Sequence, residues 1–210
     1  GLAHCGEPGL AWLRSLPDDY MTKKQTVSYA GLFDDVGADA WYASSVDYVK
    51  YGRLMYGTGN NLFQPDAQMT RAMFAQVLYA LEGSPSVRGL SCPFTDAGSS
   101  WYTDAVIWAY HAGVVAGVSA TQFAPNEALT REQMVTMLYG YAGRDEQLSG
   151  SDGALASYQD QASVSAWARE AMAWAVSTGV ITGTSTTTLA PQKIGTRAEV
   201  ATVLMQFCEQ

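Results

Sequence analysis

Residues 129–141, LTREQMVTMLYGY, place a threonine second and then carry Met134, Met137, Leu138 and Tyr141. That i, i+3, i+4, i+7 spacing places four apolar side chains on one face of an α-helix. Thr130 stands at the N-cap position, where its hydroxyl can accept from a free amide of the first turn. Gln133, three residues on, completes a capping box. The same pattern occurs twice more. Residues 69–81, MTRAMFAQVLYAL, present Phe74, Val77, Leu78 and Leu81, and residues 195–207, GTRAEVATVLMQF, present Val200, Val203, Leu204 and Phe207. Glu199 completes a second box, whereas Met73 cannot form one in the first copy.

Outward from these helices the register holds. Trp41, Trp101 and Trp167 are separated by 60 and then 66 residues, and the Thr-Arg pairs at 70–71, 130–131 and 196–197 by the same two intervals. Gly57, Gly117 and Gly183 coincide, as do Pro65, Pro125 and Pro191. Phe63, Phe123 and Leu189 fall two residues before each proline. The chain is therefore a threefold repeat. Each copy reads as helix, loop, helix. The first helix begins at the tryptophan; in the second copy its stripe is Trp101, Ala105, Trp108, Ala109 and Ala112. It ends near Gly113 and Gly179, as a helix needing a positive φ does, while the first copy has Arg53 there. Gly- and Pro-containing loops follow. An all-α fold results, with repeat boundaries at 31–88, 89–153 and 154–210 and a segment 1–30 outside them. In that segment Leu10, Trp12, Leu13 and Leu16 suggest a short helix ended by Pro17. Two helices this short cannot bury both apolar stripes alone, so the copies must pack on one another.

Composition sets limits on function. Of 210 residues, 48% are hydrophobic and 15% charged, which describes a folded chain. A net charge of −8 without a basic run argues against nucleic acid and anionic membranes. No stretch suits membrane insertion, and no signal peptide is expected at the N-terminus. Cys5, Cys92 and Cys208 lack metal-ligand spacing, and His4 and His111 have no second ligand pair, so no metal or cofactor is expected. The cysteines allow at most one disulfide within the chain. No nucleophile–base constellation or matched carboxylate pair marks a catalytic residue, so no enzyme is expected.

The motifs resemble a known family. Phe33-Asp34-Asp35, Phe94-Thr95-Asp96 and Tyr158-Gln159-Asp160 precede the tryptophans, and the closing motifs run Met69-Thr70-Arg71-Ala72-Met73, Leu129-Thr130-Arg131-Glu132-Gln133 and Gly195-Thr196-Arg197-Ala198-Glu199. This pattern over residues 31–210 is similar to three S-layer homology repeats. The resemblance implies a closed pseudo-threefold array with grooves between neighbouring copies. It implies an extracellular place at a bacterial cell surface or wall, and a passenger domain outside this sequence. Its implied partner is a secondary cell-wall polysaccharide, commonly ending in N-acetylmannosamine with a ketal-linked pyruvate. Arg71, Arg131 and Arg197 then become ligand contacts.

A guanidinium at the first helical position opposes the helix dipole, at about 0.3–1 kcal/mol when exposed. With the free amides of a helix start it could grip one carboxylate. Alternatively each arginine pairs with Asp35, Asp96 or Asp160 of the next copy. Trp41, Trp101 and Trp167 can stack on sugar rings or serve as core or rim residues. Thr58, Ser119 and Ser185 can reach sugar hydroxyls or act as ordinary turn residues. The second copy lies closest to the family pattern. The third has Gly195 in an apolar position and a longer approach to its tryptophan. The competing function is a structural or adhesive protein–protein module without sugar binding.

Overall fold

A computed structural model describes residues 32–144 and 147–209. Among these are six α-helices and no β-strand: α1 (Ala43–Tyr51), α2 (Arg71–Leu81), α3 (Thr103–His111), α4 (Arg131–Ala142), α5 (Arg169–Ser177) and α6 (Arg197–Cys208). The short helix expected before Pro17, and Cys5 and His4, lie outside the described residues. Three short 3-10 turns (Asp152–Leu155, Gln161–Ser163 and Ala166–Ala168) fill the longer approach of the third copy.

The stripes of the second helices are buried as expected. Leu78, Leu138 and Leu204 are each 0% exposed, and the four stripe residues of each helix are buried, from Phe74 to Leu81, Met134 to Tyr141 and Val200 to Phe207. Each such side chain contributes about 1.5–3 kcal/mol. The capping boxes of α4 and α6 form, and in α2 the Met73 amide donates to the Thr70 hydroxyl at 3.2 Å without a reciprocal bond.

The first helices depart from the expected stripe. They start two residues after each tryptophan, and Trp41, Trp101 and Trp167 stand 66%, 61% and 58% exposed. The buried aromatic of each first helix is seven residues further on, at Tyr48, Trp108 and Trp174. Arg53 (φ 57°) takes the left-handed conformation that Gly113 (φ 73°) and Gly179 (φ 78°) adopt at the same place.

The residues form two compact units. The first comprises 32–67, 80–83 and 196–209. In it α1 packs on α6, so the first helix of the first copy pairs with the last helix of the third. Thr202 Oγ1 meets Ser45 Oγ at 3.1 Å across this contact. The second comprises 68–79 and 84–195, where α4 packs on α5. Here too helices pair between copies.

Within the second unit a closed ring of backbone hydrogen bonds joins the residue before each threonine cap. Met69 N donates to Gly195 O (3.1 Å), Gly195 N to Leu129 O (2.9 Å) and Leu129 N to Met69 O (2.8 Å). The residue that replaces an apolar side chain in the third copy thus serves through its backbone.

Candidate functional site

Each F-x-D aspartate holds the backbone of its own loop. Asp35 accepts from the amides of Phe63 (2.8 Å) and Gln64 (2.7 Å), Asp96 from Phe123 and Ala124 (both 2.8 Å), and Asp160 from Leu189 (2.8 Å) and Ala190 (2.7 Å). The second residue of each pair has a positive φ, at Gln64 56°, Ala124 58° and Ala190 53°. Two charge-assisted bonds stabilise this strained turn before proline. At Asp96 burial works to raise the carboxyl, but the Phe123 and Ala124 amides outweigh it and hold it below the usual range. At Asp160 the Leu189 amide does the same.

The aromatic residue of F-x-D and the carbonyls of the loop, such as Leu62 O, Gln122 O and Thr188 O, together explain the glycine column. A Cβ on Gly57 would lie 2.7 Å from a Phe33 ring carbon, on Gly117 2.5 Å from Phe94 and on Gly183 2.6 Å from Tyr158. The ring and the glycine are thus one packing feature.

The arginines reach the opposite side of the same loop peptides, from the neighbouring copy. Arg71 Nε donates to Phe123 O at 2.8 Å, Arg131 Nε to Leu189 O at 3.2 Å and Arg197 Nε to Phe63 O at 2.7 Å. All three are buried, at 6%, 5% and 9% exposure. Burial lowers the pKa of Arg71 and Arg197, with Glu127 and Asp96 acting against it at Arg71 and Asp35 at Arg197. Among the described residues, no ion pair joins Arg71 or Arg197 to the expected aspartates, whose oxygens are spent on amides.

The helix-start amides are not open to a ligand. The amides of Arg71 and Ala72 donate to Glu127 O and Pro125 O (both 3.0 Å), those of Arg131 and Glu132 to Lys193 O (2.9 Å) and Pro191 O (3.0 Å), and those of Arg197 and Ala198 to Ala67 O and Pro65 O (both 2.9 Å). The third amide goes to the threonine cap. The anion receptor expected from a helix start therefore reduces to the guanidinium alone.

The three guanidinium groups differ in one respect. Arg197 Nη2 donates to Tyr56 O at 2.6 Å and Arg131 Nη2 to Thr182 O at 2.8 Å. The aligned carbonyl for Arg71 belongs to Ala116, and the Arg71 Nη nitrogens have no hydrogen-bond partner among the described residues. Arg71 lines a cavity of about 460 Å³ with the 114–118 segment, Gln133, Thr136, Met137 and Trp167. Its loop wall comes from the second copy.

Of the other sequence-derived site residues, Trp167 joins this cavity. Trp41 and Trp101 lie edge-on to Tyr42 and Tyr102 at 5.2 and 5.1 Å. Thr58, Ser119 and Ser185 are exposed but occupy two different turn positions. Thr58 Oγ1 donates to Leu62 O, whereas the Ser119 and Ser185 hydroxyls accept from the amides of Thr121 and Thr187. Gln133, Thr136 and Met137 complete the wall, and the available signal is their place within two turns after Arg131, the counterpart of Arg71.

Glu132, which replaces the alanine of the first and third copies, is 2% exposed. It accepts from Ser165 N (3.0 Å), Ser165 Oγ (2.7 Å) and Gln192 Nε2 (2.8 Å). It thus ties α4 to the lengthened approach of the third copy. Cys92 is a free, half-buried thiol, and Cys208 is buried. Among the described residues, no cluster of three or more potential metal ligands occurs, and no helix is long and apolar enough to cross a membrane.

Helices paired between copies, a loop peptide clamped by Asp on one side and Arg on the other, and a cavity beside the arginine define an all-α repeat domain. Residues 32–75, 93–135 and 157–201 each match the S-layer homology domain, and the chain belongs to that family. Membership places it at the cell surface or cell wall. Similar chains include Exoglucanase XynX of Acetivibrio thermocellus, 28% identical over 85% of this chain and 16% of that protein. An S-layer protein of Bacillus thuringiensis subsp. finitimus is 26% identical over 85% and 21%. The Surface-layer 125 kDa protein of Lysinibacillus sphaericus is 30% identical over 87% and 15%. The chain thus spans about a fifth or less of the length of these relatives.

Proposed function

We propose that the chain is a non-catalytic anchor that holds a larger surface protein to the cell wall by binding a carboxylated secondary cell-wall polysaccharide. The ligand is the pyruvyl ketal of a terminal N-acetylmannosamine-type sugar. The single observation behind this reading is the Arg71 guanidinium, fixed through Nε to Phe123 O while its Nη nitrogens remain uncommitted at the wall of the cavity. Nε fixation orients the fork, so little side-chain freedom is lost when a carboxylate accepts two parallel bonds. The exposed face of Trp167 and the methyl groups of the 114–118 segment suit the apolar side of a sugar ring. The pairing of this family with proteins named for both glucan breakdown and surface layers supports an attachment role common to different passengers.

The test is co-sedimentation with purified cell wall before and after mild acid removal of the ketal. Binding should disappear with the ketal, and Arg71→Ala should weaken it by about 1.5–3 kcal/mol, or roughly 10- to 150-fold. Equal binding to treated and untreated wall would instead favour attachment through protein contact.

A further inference from the structure

We infer that a second recess beside the Arg71 cavity is a subsite for a neutral sugar, so that the chain reads the charged end of a polymer together with the uncharged unit next to it. This rests on the Arg71 reading and extends it. The recess, of about 430 Å³, is lined by Asp96, Val118, Gln122, Pro125, Asn126 and Glu127 among others. Val118, 49% exposed, lines both this recess and the Arg71 cavity, so the two flank the same side chain. On this inference, the unit next to a ligand seated at Arg71 passes Val118 into the recess.

The chemistry of the walls defines that unit. The side-chain amides of Gln122 and Asn126 form no hydrogen bond among the described residues, and neither does the Glu127 carboxylate. Two amides offer donors and acceptors together, and the carboxylate adds acceptors; Val118 and Pro125 supply aliphatic surface. That mixture suits the hydroxyl and acetamido groups of a hexosamine. The charges exclude a second anion. Asp96 and Glu127 both act on Arg71 from this side, so a negative group here would face two carboxylates.

The recess is also particular to the second copy. Aligned with Gln122, Asn126 and Glu127 are Leu62, Asp66 and Ala67 in the first copy and Thr188, Gln192 and Lys193 in the third. The Gln192 amide is already spent on Glu132 and Ser163. The copy with uncommitted amides is therefore the one facing the arginine with uncommitted nitrogens, two departures from symmetry that meet at one place.

Titration calorimetry on the purified chain tests this with three ligands. They are pyruvylated N-acetylmannosamine, its disaccharide with a neutral N-acetylhexosamine, and the same disaccharide with a uronic acid as second unit. The neutral disaccharide should bind about tenfold more tightly than the monosaccharide, and the uronic form should show no gain. Gln122→Ala and Asn126→Ala should each remove about two- to tenfold of that gain. Both residues are exposed, so monosaccharide affinity and melting temperature should stay unchanged. Equal affinity for monosaccharide and neutral disaccharide, or a gain that survives in the double variant, overturns the subsite while leaving Arg71 in place. A monosaccharide that fails to bind, or binds Arg71→Ala equally well, overturns the Arg71 reading and the subsite with it.

Discussion

Arg197→Ala and Arg71→Ala should have opposite signatures, because the same side chain is spent differently in the two places. Arg197 gives the protein two hydrogen bonds from a charged group, to Phe63 O at 2.7 Å and Tyr56 O at 2.6 Å. Arg71 gives one, to Phe123 O at 2.8 Å. A bond from a charged donor contributes about 1.5–3 kcal/mol, so Arg197→Ala removes about 3–6 and Arg71→Ala about half of that. Both variants recover the cost of a cation at a helix start, about 0.3–1 kcal/mol, and that of burying a guanidinium. These offsets nearly cancel in the comparison. The difference left is about 1.5–3 kcal/mol, which at 2–4 °C per kcal/mol separates the two melting temperatures by about 3–12 °C. Thermal unfolding by circular dichroism measures it, and wall co-sedimentation below both transitions measures affinity. Arg197→Ala should be the less stable yet bind nearly as well as the parent, and Arg71→Ala the more stable yet bind poorly. Equal melting temperatures, or retained affinity in Arg71→Ala, would refute the idea that hydrogen-bond commitment decides which arginine binds.

Three further outcomes follow from buried or strained positions. Asp47 is 3% exposed, its Oδ2 has no hydrogen bond, and burial lifts its carboxyl to about 7, whereas Ile107 and Ala173 occupy the aligned sites. A folded value above the unfolded one makes the charge costless below about pH 4 and fully costly above pH 7, so Asp47→Ala should gain up to about 4 kcal/mol over the parent at pH 8 and little of that at pH 4; a pH-independent difference in urea unfolding would count against it. Arg53→Gly should stabilise by about 1 kcal/mol, because a side chain in the left-handed conformation is removed where the other copies have glycine, and a lower urea midpoint would contradict this. Glu132→Ala should destabilise by about 2–4 kcal/mol, since the Ser165 amide and hydroxyl and the Gln192 amide lose their acceptor, and hydrogen exchange around Ser165 should speed up.

Much of the fold could be read because its determinants are periodic. The stripes of α2, α4 and α6, their threonine caps and the two capping boxes depend on spacing within a dozen residues, and all appear where expected. The spacing draws Trp101 into the α3 stripe, because a tryptophan at helical spacing resembles a core residue. The helix starts two residues later, and Trp108 takes the buried place. The aspartates illustrate a different limit. Their partners, the amides of residues 27–30 positions downstream such as Phe123 and Ala124, are backbone groups and leave no mark in side-chain identity. Opposite charge makes an Asp–Arg pair the natural alternative to ligand contact. Asp96 and Arg71 instead meet opposite sides of the same residue, Phe123, one at its amide and the other at its carbonyl.

The same limit explains why three identical Thr-Arg motifs are unequal. The acceptor for Nη2 is a main-chain carbonyl, of Tyr56 or Thr182, so every residue type offers it and no substitution announces its use. Whether a guanidinium reaches that carbonyl depends on where the loop backbone lies, which is set by the packing beneath it. The repeat uses the Nε bond in every copy, because each helix start docks through it and through two amides into a neighbouring loop. It does not need the second bond in every copy. The dispensable bond is therefore where, on the proposed reading, one arginine serves a ligand while the others add stability. That division holds the identity of the motif constant and lets its function vary, and in this chain the variation coincides with the loop that carries Gln122, Asn126 and Glu127.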